Sequence, residues 1–165
     1  MDRNPEPHDV LVAFLLLHRA LQRQADVFFA EHGLTDAQFN ILNLLATSGD
    51  SMDQLALTEK LLVGKSSTSI VLNRMAKAGL IERREHAKDR RRSVLSISTK
   101  GHKLWSKVYP KYEQSVRDVF GGLPKGRRRA FVDDLDALYA SLSGDPQVKS
   151  SRTLKEIVKQ LQSES

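Results

Sequence analysis

The sequence predicts a mainly α-helical chain with one small β-hairpin set into its middle. Three observations carry that reading. Apolar residues recur every three or four positions along most of the chain, the period of a helix with one buried face. One segment breaks the rule: Leu95 and Ile97 alternate with Ser96 and Ser98, the period of a half-buried strand. Glycines at Gly33, Gly79, Gly121-Gly122 and Gly144 close the periodic segments.

A first long helix is expected from about Asp9, with Val10, Phe14, Leu17, Leu21, Ala25 and Phe28 on one face and Gly33 at its end. Thr35 is placed to cap a second helix, in which Phe39, Leu42 and Ala46 keep the period. Ser48-Gly49-Asp50 reads as a turn, and Asp53 as the cap of a short third helix that turns Leu57 and Leu61 inward. Leu62-Val63-Gly64 is a tight connection to a fourth helix over about 65–78. There Thr68, Val71, Leu72 and Met75 share one side, and Ser66, Ser69, Ile70 and Asn73 the other. Gly79 supplies a left-handed cap and Leu80 the apolar contact that accompanies it. Strands are expected over 81–86 and 93–98, joined by a charged loop. Thr99 should cap a helix to about Phe120 that carries Trp105, Tyr109 and Tyr112 at i, i+4 and i+7. Pro124 opens a last main helix with Phe131, Leu135, Leu138 and Leu142. In the tail, Leu154, Ile157, Val158 and Leu161 suggest one more short amphipathic helix over 151–162.

Composition narrows the function classes. A chain of 165 residues, 40% hydrophobic and 28% charged, can pack one domain or one domain with an extended oligomerising part. The longest apolar run, Val10 to Leu17, is far shorter than the ~20 residues of a membrane helix, and no cleavage signal follows it. The chain is therefore expected in the cytoplasm, away from membranes. With no cysteine there is no disulfide, thiolate metal site or thiol switch. The histidines, His8, His18, His32, His86 and His102, lack metal-ligand spacing. No phosphate loop or nucleophile setting is present, so no catalytic residue, metal or cofactor is expected and the protein is not read as an enzyme.

The charge distribution points further. From Arg83 to Lys103 there are eight basic and two acidic residues, an excess equal to the net +6 of the whole chain. Its centre is Lys88, Asp89, Arg90, Arg91 and Arg92. A localised excess of this kind attracts polyanions, nucleic acid first among them, with an anionic membrane surface or an acidic protein as the alternatives. The outward face of the fourth helix is small and uncharged at Ser69, Ile70 and Asn73, with Lys65, Ser66, Ser67 and Arg74 around it. A solvated face usually carries Glu and Lys; this one can lie close against another molecule.

Helix, turn, helix, strand, basic hairpin and strand in this order make a winged helix-turn-helix. The chain resembles the MarR family of transcriptional regulators over about residues 9–143. LTDAQFNIL at 34–42 is similar to the family's second-helix signature. The pattern D-x-R-x-x-x-V-x-L-T-x-x-G is matched by Asp89, Arg91, Leu95, Ile97, Ser98 and Gly101. Two positions depart from it. The family usually has Ser or Thr where this chain has Gly64, an acceptable cap. Many members have Arg or a polar residue where this chain has Ile70, which touches the base-reading chemistry and not the fold.

The apolar stripes Phe14, Leu17, Leu21 and Phe131, Leu135, Leu138 exceed what one small winged lobe can cover, so a homodimer is expected; with the resemblance this gives a helical dimerisation region over 9–33 and 99–143, a lobe for double-stranded DNA over 34–98 and a tail over 144–165. The resemblance implies a wing tip in the minor groove, where Arg90 is favoured. Asp89 and Arg91 are assigned to bracing the wing, and Lys88 and Arg92 to phosphates. On the recognition helix, Lys65, Ser66, Ser67 and Arg74 are assigned to phosphates, and Ser69, Ile70 and Asn73 face the bases. The resemblance also suggests a small-molecule effector cleft, with Phe14, His18, Trp105 and Tyr109 as lining and Arg19 or Arg23 as an anion partner; core packing explains the same residues. The basic cluster Lys125, Arg127, Arg128 and Arg129 reads as solvated. The expected function is a ligand-responsive repressor on a palindromic operator. The other reading is a basic module that binds DNA without sequence preference or binds a protein.

Overall fold

The computed structural model describes residues 4–49, 51–61, 65–86 and 89–142. The side chains of Glu59, residues 65–67, His86 and residues 89–91 lie outside that description, as do the 62–64 connection and the tail with its expected 151–162 helix. The elements run α1 (Pro7–Glu31), α2 (Asp36–Thr47), β1 (Ser51–Asp53), α3 (Gln54–Lys60), α4 (Lys65–Lys77), β2 (Ile81–His86), β3 (Asp89–Ile97), α5 (Thr99–Phe120) and α6 (Lys125–Leu142). The chain divides into two compact units, 1–106 and 107–165. The first carries the winged helix-turn-helix.

Local chemistry sets the helix ends of the first unit. α1 starts at Pro7, where the missing N–H costs nothing. Glu6 and Asp9 form a capping box at its entry, two residues earlier than the expected start. Thr35 caps α2 as expected, accepting from Gln38 N at 3.3 Å while its own N–H donates to Gln38 Oε1 at 2.9 Å. Asp53 caps α3, accepting from Leu55 N at 2.9 Å. α4 ends at Gly79, whose φ of +70° suits a residue without a Cβ. Leu80 N then donates to Met75 O at 2.9 Å, and the Leu80 side chain is buried.

Phe29, Phe39, Leu42, Leu45, Leu57, Leu72, Met75 and Leu95 are all buried and form the centre of this unit. α1 reaches that core through Phe29, stacked on Phe39 with centroids 4.8 Å apart. The expected face of α1 is corrected here. Phe28 is only half-buried and its neighbour Phe29 takes the core position. Val10, Phe14 and Leu17 lie exposed.

The sheet corrects the expectation twice. It has three antiparallel strands in the order β1-β3-β2. β1, which the sequence did not announce, pairs Met52 with Leu95 and Asp53 with Val94. β3 begins at Asp89, not Ser93, so the basic run is strand from Asp89 onward and the loop is shorter than read. His86 pairs with Asp89, and a register shift between Glu85 and His86 disturbs the ladder near the tip.

In the second unit α5 ends at Phe120 and α6 runs from Lys125. Between them lies an open, mainly apolar recess of about 600 Å³ lined by Val116, Phe120, Leu123, Phe131, Val132 and Leu135, with Arg117 and Arg128. Arg128 Nε donates to Leu123 O at 3.1 Å, and Arg117 pairs with Glu113 at 3.2 Å. Leu138 and Leu142 are exposed.

The join between β3 and α5 explains the glycine of the wing motif. Ser98, not Thr99, is the capping residue: Thr99 is the first helical residue, and the Ser98 hydroxyl accepts from Gly101 N at 3.0 Å. The same hydroxyl donates to Gly79 O at 2.6 Å, and Ser98 N donates to Leu80 O at 3.1 Å. This draws the first turn of α5 against the end of α4. A Cβ on Gly101 would overlap the Leu80 carbonyl and lie 3.1 Å from Ile97 Cγ1. Gly101→Ala is therefore expected to destabilise the fold by about 1–3 kcal/mol through overpacking. A urea unfolding curve checks this; an unchanged midpoint would show that the junction can relax.

Candidate nucleic-acid interface

Helix α4 is a two-faced element. Leu72 and Met75 are fully buried, Thr68 is 2% exposed and Val71 is half-buried. α4 packs on α2 and β2 through this side. Ser69, Asn73 and Arg74 lie exposed on the other, with Ile70 57% exposed between them. The structure thus places Ser69, Ile70, Asn73 and Arg74 together on one surface. The side chains of Lys65, Ser66 and Ser67 lie outside the described residues.

The wing follows directly. Arg83, Arg84 and Glu85 on β2 are exposed, and Arg84 pairs with Glu82 at 3.1 Å. On β3 the backbone of Asp89, Arg90 and Arg91 is strand; their side chains, like all of Lys88, lie outside the described residues. Arg92 is described. Its Nε donates to Asp53 Oδ2 at 3.0 Å, across 39 residues of chain. Half of the Arg92 side chain remains exposed.

Asp53 joins two jobs. One carboxylate oxygen caps α3 and the other holds Arg92. The Arg92 hydrogen bond is the largest of the effects that hold the Asp53 carboxyl below its usual pKa; burial works the other way, and the α3 amides add to the lowering. Sequence reasoning found the cap and missed the pair. No local signal could have revealed it, because the β1–β3 pairing that brings the two residues together rests on a three-residue strand.

The residues expected around an effector fall in different settings. Phe14 and His18 stack on each other with centroids 6.3 Å apart, and Phe14 is exposed. Arg19 and Arg23 are exposed on the same helix. Trp105 Nε1 donates to Asn43 Oδ1 at 3.1 Å, and its ring lies 5.6 Å from His102. Tyr109 belongs to the second unit, where burial, with Glu113 beside it, raises its hydroxyl pKa. Among the described residues no group of three or more His, Cys, Asp or Glu could hold a metal ion, and no helix is long and apolar enough to cross a membrane.

A two-faced helix entered from a capped helix-turn-helix, followed by a basic antiparallel wing, defines the winged-helix class of DNA-binding proteins. Comparison with known proteins narrows the class. The MarR family model matches residues 32–92. The homoprotocatechuate degradative operon repressor of Escherichia coli is 28% identical over 113 residues, which are 68% of this chain and 76% of that protein. The structure of AbsC, a MarR-family regulator from Streptomyces coelicolor, superposes with a TM-score of 0.78 at 25% identity, over 87% of this chain and all of that one. Sco3205 from the same organism, solved in complex with DNA, shares the fold with a TM-score of 0.76 at 18% identity, over 86% of this chain and 92% of that one. The chain is thus similar to the MarR family over residues 32–92, and the relatives named here are transcriptional regulators.

The Asp53–Arg92 pair can be tested without disturbing the helix cap, since Asn caps about as well as Asp. Asp53→Asn is expected to lower stability by about 0.2–1 kcal/mol at neutral pH, the range of a partly exposed pair. The folded-state pKa of Asp53 is depressed, so its contribution is complete above the ordinary carboxylate pKa of about 3.9 and fades as pH falls through the lowered value. Denaturant midpoints of the two proteins should therefore differ at pH 7 and converge in acid. A gap that persists unchanged at low pH would show that the pair is not its source.

Proposed function

We propose that the protein is a sequence-specific DNA-binding repressor that acts as a homodimer on a palindromic operator. One observation carries the reading. The outward face of α4 is small, polar and uncharged at Ser69 and Asn73, is flanked by Arg74, and stands next to a basic wing. A module that binds polyanions by charge alone needs no such surface. In this reading α4 enters the major groove. Ser69, Ile70 and Asn73 face base edges, while Lys65, Ser66, Ser67 and Arg74 reach phosphates. Arg90 enters the minor groove, braced by Asp89 and Arg91, and Lys88 contacts phosphate. Arg92 adds a phosphate contact from β3, with Asp53 holding its Nε.

The homodimer rests on exposed apolar surface. Val10, Leu11, Phe14, Leu15, Leu16 and Leu17 are each 45–61% exposed on successive turns of α1. A patch of that extent marks a surface meant to be covered. Phe120, Leu138 and Leu142 add exposed apolar groups in the second unit. A second copy of the chain is the proposed cover. Two-fold symmetry would then set two recognition helices about 34–36 Å apart, one turn of DNA. The relative that is an operon repressor supports repression, exerted in the cytoplasm. The proposal includes a small-molecule effector; in the first unit the Phe14–His18 stack and half-buried Trp105 are the aromatic surfaces open to one.

Selection of bound sequences from a random DNA pool is expected to recover a palindrome, and sedimentation at micromolar concentration a dimer. Recovery of no preferred sequence would favour the nonspecific basic module, and a monomer would remove the symmetric operator.

Wing and recognition helix should separate by their salt dependence. Arg90→Ala is expected to weaken binding to all sequences alike and to lower the salt slope by about one. Asn73→Ala carries no charge change. It should leave the slope intact and reduce discrimination at one base pair per half-site by about 1–3 kcal/mol. Equal loss of slope in both variants would contradict this division of labour.

A further inference from the structure

We propose that Ile70 reads the 5-methyl group of a thymine in each operator half-site. The inference rests on the docking of α4 in the major groove proposed above and adds to it the chemistry of one contact.

Ile70 is 57% exposed, and the helix cannot roll to hide it. Leu72 and Met75 are both completely buried on the other side, so turning Ile70 inward would expose them. A lone exposed isoleucine is common on protein surfaces and carries no meaning by itself. Its neighbours give it one here. The residues three and four positions away along the helix are Ser66, Ser67, Asn73 and Arg74, all polar. Among the described residues of α4, Ile70 is thus the one exposed large apolar group, with Asn73 and Arg74 one turn further along the same face.

The floor of the major groove has one feature that matches. Every base edge there presents donors or acceptors, and only thymine adds an apolar group, its C5 methyl. An isoleucine over a guanine, a cytosine or the adenine edge would strip water from polar atoms and return no hydrogen bond, which is costly. Over thymine it buries methyl against methyl. The side chain therefore selects for thymine and against the other bases. Asn73 lies three residues further on, about 4.5 Å along the helix axis, against about 3.4 Å per base pair. That spacing keeps the two side chains within reach of the same short stretch of base pairs. Asn favours the N6/N7 edge of adenine, so both preferences are for A·T pairs.

Deoxyuridine in place of thymidine removes that methyl and leaves base pairing intact. The duplex recovered from the random pool is remade with each thymine replaced in turn. With the wild-type protein, one position per half-site should lose about fourfold in affinity, the effect of one buried methyl. Ile70→Ala should bind the unmodified duplex weaker by a similar or larger factor and lose all sensitivity to uracil at that position. Ile70→Val, which keeps two methyl groups, should retain most of it. Ile70 is exposed, so neither change is expected to affect folding. Absence of any uracil-sensitive position, or equal sensitivity in wild type and Ile70→Ala, would overturn the proposal. If uracil has no effect while Asn73→Ala still relaxes base preference, the docking of α4 stands and only the role of Ile70 falls. If the pool yields no preferred sequence, the docking fails and Ile70 falls with it.

Discussion

The burial of Leu72 and Met75 is the constraint on which the rest of the winged-helix unit depends. Each of these side chains, taken from water, contributes on the order of 1.5–3 kcal/mol. That is enough to fix the roll of α4 about its own axis. Once the roll is fixed, the helical period alone decides that Ser69, Ile70 and Asn73 face outward. The same anchoring sets the exit of the chain. Leu80 N reaches back to Met75 O, Gly79 turns through its positive φ, and β2 starts at Ile81 in a direction it cannot choose for itself.

The wing is held by the same unit through contacts of a different kind. β3 is the central strand, flanked by β1 and β2, so the arm that carries the basic residues is paired on both sides at its base. Asp53 ties Arg92 to the start of α3. Ser98 and Lys100 bond to the carbonyls of Gly79 and Ala78 at the end of α4. Helix and wing are therefore positioned from one frame. If both contact DNA as proposed, a fixed relation between them would let the cost of ordering two surfaces be met during folding, not at the moment of binding.

Much of this was legible in the sequence, and the pattern of what was not is instructive. The caps at Thr35, Asp53 and Gly79 could be read because a cap is decided within four residues. The two faces of α4 could be read because 3.6-residue periodicity is unambiguous over thirteen residues. β1 was hidden because three residues show no period, and the Asp53–Arg92 pair was hidden behind it. Phe28 and Phe29 were exchanged because the two adjacent rings fit the apolar period almost equally well; the choice is made by Phe39, in another helix. Ser98 and Thr99 were exchanged for a similar reason: two neighbouring hydroxyls offer the same cap, and only the partner at Gly79 distinguishes them. The outward helix face of the candidate site was readable, while the strand geometry beneath the wing depended on long-range pairing.

Trp105 has a use beyond packing. It is the chain's one tryptophan, and its indole N–H is bonded to Asn43, joining the first turns of α5 to α2. Indole emission shifts with the polarity and hydrogen bonding around the ring. The unlabelled protein thus carries a single optical reporter at the seam between the helix-turn-helix and the helix that leaves the wing. Any motion that pulls those two helices apart breaks the bond and changes the light the molecule emits.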